Sequence, residues 1–252
     1  MELKTSNPAF AGANTYSGSA VHVGYGPTMT ISGTVNKAGI LMLCVLATAF
    51  YTWSQFFATG DPSSVGALTL VGAFGGFGVA MVTIFKKEWS PVTAPIYALL
   101  EGLVLGSLSA TLEMRFPGIA IEAVALTFGT CFALLAAYRS GLIRATEKFT
   151  LGIVAATGGI ALVYFGSMIL GFFGVHIPGI FGNGPVGILF SLAVVVIAAL
   201  NLILDFSAIE EGALRGAPKY MEWYSAFGLM VTLIWLYLEI IRLLSKLRDD
   251  RR

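Results

Sequence analysis

The stretch VTLIWLYLEIIRLLSKL, residues 231–247, decides the fold. It is apolar over nearly its whole length, and about 20 apolar residues cross the hydrocarbon core of a bilayer as a helix. Two charged residues, Glu239 and Arg242, nevertheless lie near its middle. Each charge costs roughly 2.5–3.5 kcal/mol at the bilayer centre on insertion scales. We therefore expect a transmembrane helix whose polar stripe, which also contains Thr232 and Trp235, faces the interior of a helix bundle.

Six further apolar runs of similar length precede this one. The chain of 252 residues is 56% hydrophobic and only 12% charged, whereas soluble domains are about 45–50% apolar and about 25% charged. Its mean hydropathy is +0.82. Continuous apolar runs exclude a β-barrel, whose strands alternate. We predict an all-α membrane protein with seven transmembrane helices, at roughly 38–57, 65–85, 92–112, 119–138, 149–173, 186–206 and 224–244.

The rest of the chain is short. Residues 1–36 are rich in Gly, Ser, Thr, Asn and Ala, and they lack the basic and apolar regions of a cleaved signal peptide. We expect a flexible N-terminal tail at 1–36, a seven-helix domain at 37–247 and a charged C-terminal tail at 248–252.

The basic residues indicate an orientation. If the loops alternate between the two sides, the N-terminal side carries nine of them: Lys4, Lys37, Lys86, Lys87, Arg139, Arg144, Lys148, Arg215 and Lys219. The positive-inside rule then places the N-terminus in the cytoplasm. The basic C-terminal tail falls outside against the same rule, so either the last segment crosses despite its charges or it does not fully cross.

No sequence motif indicates an enzyme. Cys44 and Cys131 lie in predicted helices without CxxC spacing, so neither a disulfide nor a metal site follows. Hydrolase and nucleotide-binding motifs are missing from the sequence. We expect no enzymatic activity, no resident cofactor and no nucleic-acid partner.

Small residues at four-residue spacing predict close helix packing. They occur in the third run at Ala98, Gly102, Gly106 and Ala110, in the second at Gly72 and Gly76, and in the fifth at Ala155 and Gly159. Such residues let helix backbones approach each other in lipid.

Three carboxylates stand inside the predicted spans: Glu101, Asp205 and Glu239. Asn201 precedes Asp205 by one turn and shares its face. Glu101 is expected to point into the bundle and support a pore wall, or to be a satisfied structural acid. Glu210, Glu211 and Glu222 are assigned to the sixth loop, where solvent would surround them.

Several segments resemble the Bax inhibitor-1 family of transmembrane proteins, in its bacterial branch. The strongest is LYLEIIRLL (236–244), where the family typically has Leu-Tyr-Leu-Asp-x-Ile-Asn-Leu, and the next is LILDFSAIEEG (202–212). SNPAF, VNKAGIL and APIYALLEGLVLGSLS match in the same order. The resemblance covers essentially the whole chain, and its bacterial branch implies that the protein lies in a bacterial inner membrane.

The resemblance implies six helices wrapped around a central seventh and a calcium leak controlled by pH. It implies that Asp205 and Glu239 pair as the pH sensor, and that a basic latch ends the second helix, at Lys86 or Lys87. From the sequence alone these two lysines could equally be interfacial anchors. This chain departs from the family in having Glu at 239, Arg at 242 and a longer interval between the two acids.

The expected pair suggests a mechanism. Two carboxylates close together in a low-dielectric site share one proton, and its loss leaves two negative charges that repel each other or attract a cation. Oxygen ligands suit Ca²⁺, so Asp205 and Glu239 are also the candidate metal ligands. Alternatively, Arg242 neutralises Glu239 one turn away, or it extends outward to the interface.

A second function remains open at this stage. The protein could be a regulator that transports nothing and binds a membrane protease or other membrane proteins. In either case the lipid bilayer is a partner, and Ca²⁺ is the expected cargo of the first.

Overall fold

The computed structural model describes residues 26–61, 63–174 and 179–249. Over these ranges the chain forms seven long helices and no β-strand, which confirms the predicted class. Each helix is long and apolar enough to cross a membrane. The helices are α1 (Ile31–Thr59), α2 (Ser63–Phe85), α3 (Ser90–Arg115), α4 (Ile119–Arg139), α5 (Glu147–Phe172), α6 (Pro185–Leu214) and α7 (Met221–Asp249).

The first and last helices of the chain extend beyond the predicted spans. The helix α1 starts at Ile31, inside the expected tail, because the Thr30 side chain caps it by accepting a hydrogen bond from the Gly33 amide. Just before the cap, the Met29 amide donates to the Ala217 carbonyl at 2.7 Å. Residues 1–25 of the expected tail at 1–36 lie outside the described residues, and so do residues 250–252. The helix α7 continues into the expected C-terminal tail as far as Asp249.

The last helix is the centre of the bundle, as predicted. It packs against α1, α3, α4 and α6, and it is the most buried of the seven helices. Its first half contributes Tyr224, Phe227 and Met230 to the core, and the Phe227 ring meets Tyr97 of α3 edge to face. We call the end of the bundle where α1, α3, α5 and α7 begin the N-terminal end, and the opposite one the C-terminal end.

The small residues of the third run pack as predicted. A Cβ atom added at Gly102 or Gly106 would overlap the α1 backbone and the Thr48 or Thr52 hydroxyl, so α1 and α3 lie in direct backbone contact. The same prediction for α5 is wrong. Ala155 and Gly159 are exposed, and no atom lies within contact distance of an added Cβ at Gly159.

The helix α5 is the outlier of the bundle. It is the least buried of the seven, and its helix–helix packing is with α6. Its buried residues are only Thr150 and Ile153. Most of its surface therefore faces the surroundings of the bundle, which in a membrane are lipid tails.

Candidate functional site

The Glu239 carboxylate lies at the centre of a three-residue cluster. It is 2% exposed, and both of its oxygens accept from Arg242 Nη1, at 2.9 and 3.0 Å. The Tyr164 hydroxyl of α5 lies 3.1 and 3.2 Å from the same oxygens. It also accepts a hydrogen bond from Arg242 at 2.7 Å. Of the two arrangements considered for Arg242, pairing with Glu239 is the observed one.

Arg242 sits at the edge of the bundle. Its side chain is 43% exposed while that of Glu239 is 3% exposed, and its guanidinium lies over the Tyr164 ring, 5.4 Å from the ring centre. The ion pair thus neutralises a buried carboxylate with a cation that is itself partly exposed. Tyr164 was missed from the sequence because a tyrosine in an apolar run carries no signal of its partner.

Asp205 is fully buried in α6, close enough to the Cys131 thiol of α4 to interact with it electrostatically. One turn away, Asn201 donates from Nδ2 to the Thr157 hydroxyl at 2.9 Å and to the Ile197 carbonyl at 2.8 Å. The shared face of Asn201 and Asp205 therefore reaches towards α5 as well as towards the interior.

The two carboxylates lie at different depths. The connection between α6 and α7 is short, so both helices can be measured from the N-terminal end of the bundle. At 1.5 Å per residue, Asp205 lies roughly 14 Å from the end of α6, and Glu239 lies roughly 27 Å from the start of α7. Direct pairing stays a prediction, and this offset of about 13 Å argues that any coupling runs through intervening groups.

Glu101 occupies a separate place between α2 and α3. It is half-buried, and its carboxyl shares a hydrogen bond with Tyr97. A Cβ atom at Gly76 of α2 would lie 3.0 Å from its Oε1 atom. The carboxyl thus points into the α2–α3 contact, where a glycine makes room for it.

The latch candidates lie at the N-terminal end. Lys86 is exposed, while Lys87 is half-buried with its Nζ atom 5.4 Å from the Tyr224 ring centre. Tyr224 precedes Glu239 by about four turns of α7, roughly 22 Å. Lys87 therefore contacts the start of the central helix and lies far from the Glu239 cluster.

Glu222 was misassigned from the sequence. It lies in the first turn of α7, not in a solvated loop, and is fully buried. Its carboxylate pairs with Lys37 at 2.9 Å and Lys219 at 2.7 Å. It also accepts from the Thr30 amide at 3.0 Å and the Thr30 hydroxyl at 2.8 Å. A side chain at Gly33 would overlap this carboxylate.

One open space in the bundle is apolar. A cavity of about 290 Å³ lies between α1, α3, α4 and α7, and the hydroxyls of Ser109 and Tyr237 meet at its wall, 2.6 Å apart. Neither Asp205 nor Glu239 lines it. Within the described ranges, no group of three or more His, Cys, Asp or Glu side chains could hold a metal ion.

Six apolar helices around a central seventh, with charges buried inside, define a multi-pass integral membrane protein. The sequence matches the family model described as Bax inhibitor 1 like over residues 4–249, and the chain belongs to this family. No curated protein and no solved structure matches it. The match confirms the resemblance noted from the motifs.

Proposed function

We propose that this protein is a calcium leak of the membrane, controlled by the protonation of carboxylates inside the bundle, and that it is not an enzyme. The single observation that carries the proposal is the buried Glu239 carboxylate, bound by a counter-ion from its own helix and by Tyr164. The resemblance to the family implies the same activity. We further propose that the N-terminal end faces the cytoplasm of a bacterial inner membrane, on the charge asymmetry of the loops.

The Glu239 cluster suggests how ion passage and closure are related. The Arg242 guanidinium neutralises the buried Glu239 carboxylate, but the Arg242 side chain is 43% exposed, so solvent weakens the ion pair. A cation that can turn outward leaves two carboxylate oxygens free for another cation, and such oxygens are ligands that Ca²⁺ accepts. In this mechanism Arg242 occupies the place of the ion in the closed state.

Asp205 supplies a second buried acid at another depth. When it is ionised, its negative charge in a low-dielectric interior attracts a cation strongly. When it is protonated, that attraction disappears. Proton uptake at Asp205 and Glu239 is therefore expected to close the path to Ca²⁺, so the leak should rise with pH.

The test is Ca²⁺ flux into proteoliposomes that contain only this protein, measured between about pH 6 and pH 8 with a trapped fluorescent indicator. Asp205→Asn and Glu239→Gln should each remove most of the flux and its pH dependence. Glu147→Gln is the matched control, because Glu147 is an exposed acid at the start of α5. Pure wild-type protein that carries no Ca²⁺ would overturn the proposal and favour the regulator that binds other membrane proteins.

A further inference from the structure

Three hydroxyl side chains form a line along α5. Thr150, Thr157 and Tyr164 follow one another at intervals of seven residues. Seven residues are close to two turns of an α-helix, so the three side chains share one face. Thr157 shows which face this is, because it receives the hydrogen bond of Asn201 from α6.

Two members of this line contact polar groups of the interior. Tyr164 contacts Glu239 and Arg242 of α7. Thr157 contacts Asn201, and Asp205 follows one turn further along the same face of α6. We call these three hydroxyls and the four polar side chains opposite them the α5 seam.

Thr150 is unusual among the helical threonines. Hydroxyls such as those of Thr83 and Thr127 donate to the carbonyl four residues earlier, the usual way to satisfy them in a helix. The Thr150 hydroxyl is buried, and in the described part of the chain it has no hydrogen-bond partner. A buried hydroxyl without a partner costs about 1–3 kcal/mol, and a water molecule or an ion would relieve that cost.

The α5 seam bridges the depth that separates the two carboxylates. From Thr150, in the first turn of α5, to Tyr164 the line covers roughly 21 Å along the helix. This is most of a hydrocarbon core of about 30 Å. Beyond it, towards the C-terminal end, the rings of Tyr164, Phe181 and Phe190 pack together with centres 5.7–6.2 Å apart.

The helix that bears the three hydroxyls, α5, is also the least buried helix of the bundle. Because α5 buries only Thr150 and Ile153, moving it away from α6 would expose little apolar surface. That surface would meet lipid, which is as apolar as the interior it leaves. By contrast, α3 is fixed against α1 by glycines in backbone contact.

We propose that the α5 seam is a hydrated pathway for a divalent cation, closed in this structure and opened by movement of α5. The proposal rests on the calcium leak proposed above and specifies where the ion passes. The aromatic contact of Tyr164 with Phe181 and Phe190 closes the C-terminal end of the pathway, and Asn201 bonded to Thr157 closes its middle.

Cysteine accessibility tests the pathway without using calcium. In full-length protein with Cys44 and Cys131 replaced by serine, Thr157→Cys is reconstituted and exposed to a charged, membrane-impermeant methanethiosulfonate reagent. Leu162→Cys, about one and a half turns further along α5, is the lipid-facing control because Leu162 faces outward. Only a thiol in water ionises and reacts readily. We expect position 157 to react severalfold faster than position 162 under conditions that support flux.

Thr150→Cys provides the second variant, since it breaks no hydrogen bond present in the structure. It should react severalfold faster than Leu151→Cys, the lipid-facing control at its own depth, because Leu151 is exposed, and modification of Thr150→Cys should block flux. If neither position reacts faster than its lipid-facing control while calcium still leaks, the seam is not the pathway, although the leak itself stands. Fast reaction in protein that carries no calcium would support a hydrated seam and overturn the calcium leak.

Discussion

The buried Glu222 carboxylate should contribute strongly to the stability of the bundle. It joins Thr30 and Lys37 of the N-terminal segment to the first turn of α7, and Lys219 completes the cluster. The substitution Glu222→Gln keeps the size of the side chain and removes its charge. Glu88→Gln is the control, because Glu88 is an exposed acid at the same end of the bundle.

The contacts of Glu222 set the size of the expected effect. The lysine side chains are 24% and 45% exposed, so solvent screens both ion pairs, and each contributes at most about 1 kcal/mol. The two hydrogen bonds from Thr30 become bonds to a neutral group, and each loses about 1 kcal/mol. The total is about 2–4 kcal/mol, which corresponds to a fall in Tm of order 10 °C for a domain of this size.

The assay uses the cysteines of the chain. Cys131 is buried and Cys44 half-buried, so a thiol-reactive fluorescent dye reports unfolding in detergent. Gly33→Ala tests the same contact from the other side, because its Cβ would displace the Glu222 carboxylate, while Gly39→Ala has open space around it. A Tm for Glu222→Gln no lower than that of Glu88→Gln would refute the reasoning.

Three further predictions concern other sites. Gly106→Ala should lower Tm by overpacking the α1–α3 contact, at about 1–3 kcal/mol, while Gly78→Ala, with open space around it, should not. Arg242→Asn should raise Ca²⁺ flux at a fixed pH, because it removes the cation that contacts both Glu239 oxygens in the closed state; unchanged flux would make Arg242 an anchor only. Glu101→Gln should keep the Tm, because an amide can retain the Tyr97 hydrogen bond. A clear fall in Tm would contradict this. The Ca²⁺ flux of the same variant then shows whether the charge of Glu101 in the α2–α3 contact affects transport.

Hydropathy was sufficient to predict the seven helices, because a bilayer requires the same length and polarity from every span. The helix ends were less predictable. The cap at Thr30 and the backbone contact between Met29 and Ala217 extend α1 towards its N-terminus, and both depend on groups brought together only by the fold.

Spacing of small residues predicted packing in α3 and failed in α5. Small residues at this spacing allow another helix backbone to approach, but they do not indicate that another helix is present there. Gly106 finds the α1 backbone, whereas Gly159 faces open space. The environment of a charged residue is equally hard to predict from its neighbours in the sequence. Glu222 follows Lys219 and precedes the apolar run, so it was assigned to a solvated loop. Its side chain is buried because Thr30 and Lys37 contact it in the folded chain.

The depth difference between Asp205 and Glu239 was already present in the sequence, in the interval that is longer than is usual in the family. In an antiparallel helix pair with a six-residue connection, the residue of α7 level with Asp205 lies near Met230, about two and a half turns before Glu239. A motif match assigns equivalent roles to residues, whereas the interval between them determines whether they can touch. In this chain a direct proton exchange between the two acids would require a large shift of α7 along its axis. A path through Asn201, Thr157 and Tyr164 requires only groups that already lie between them.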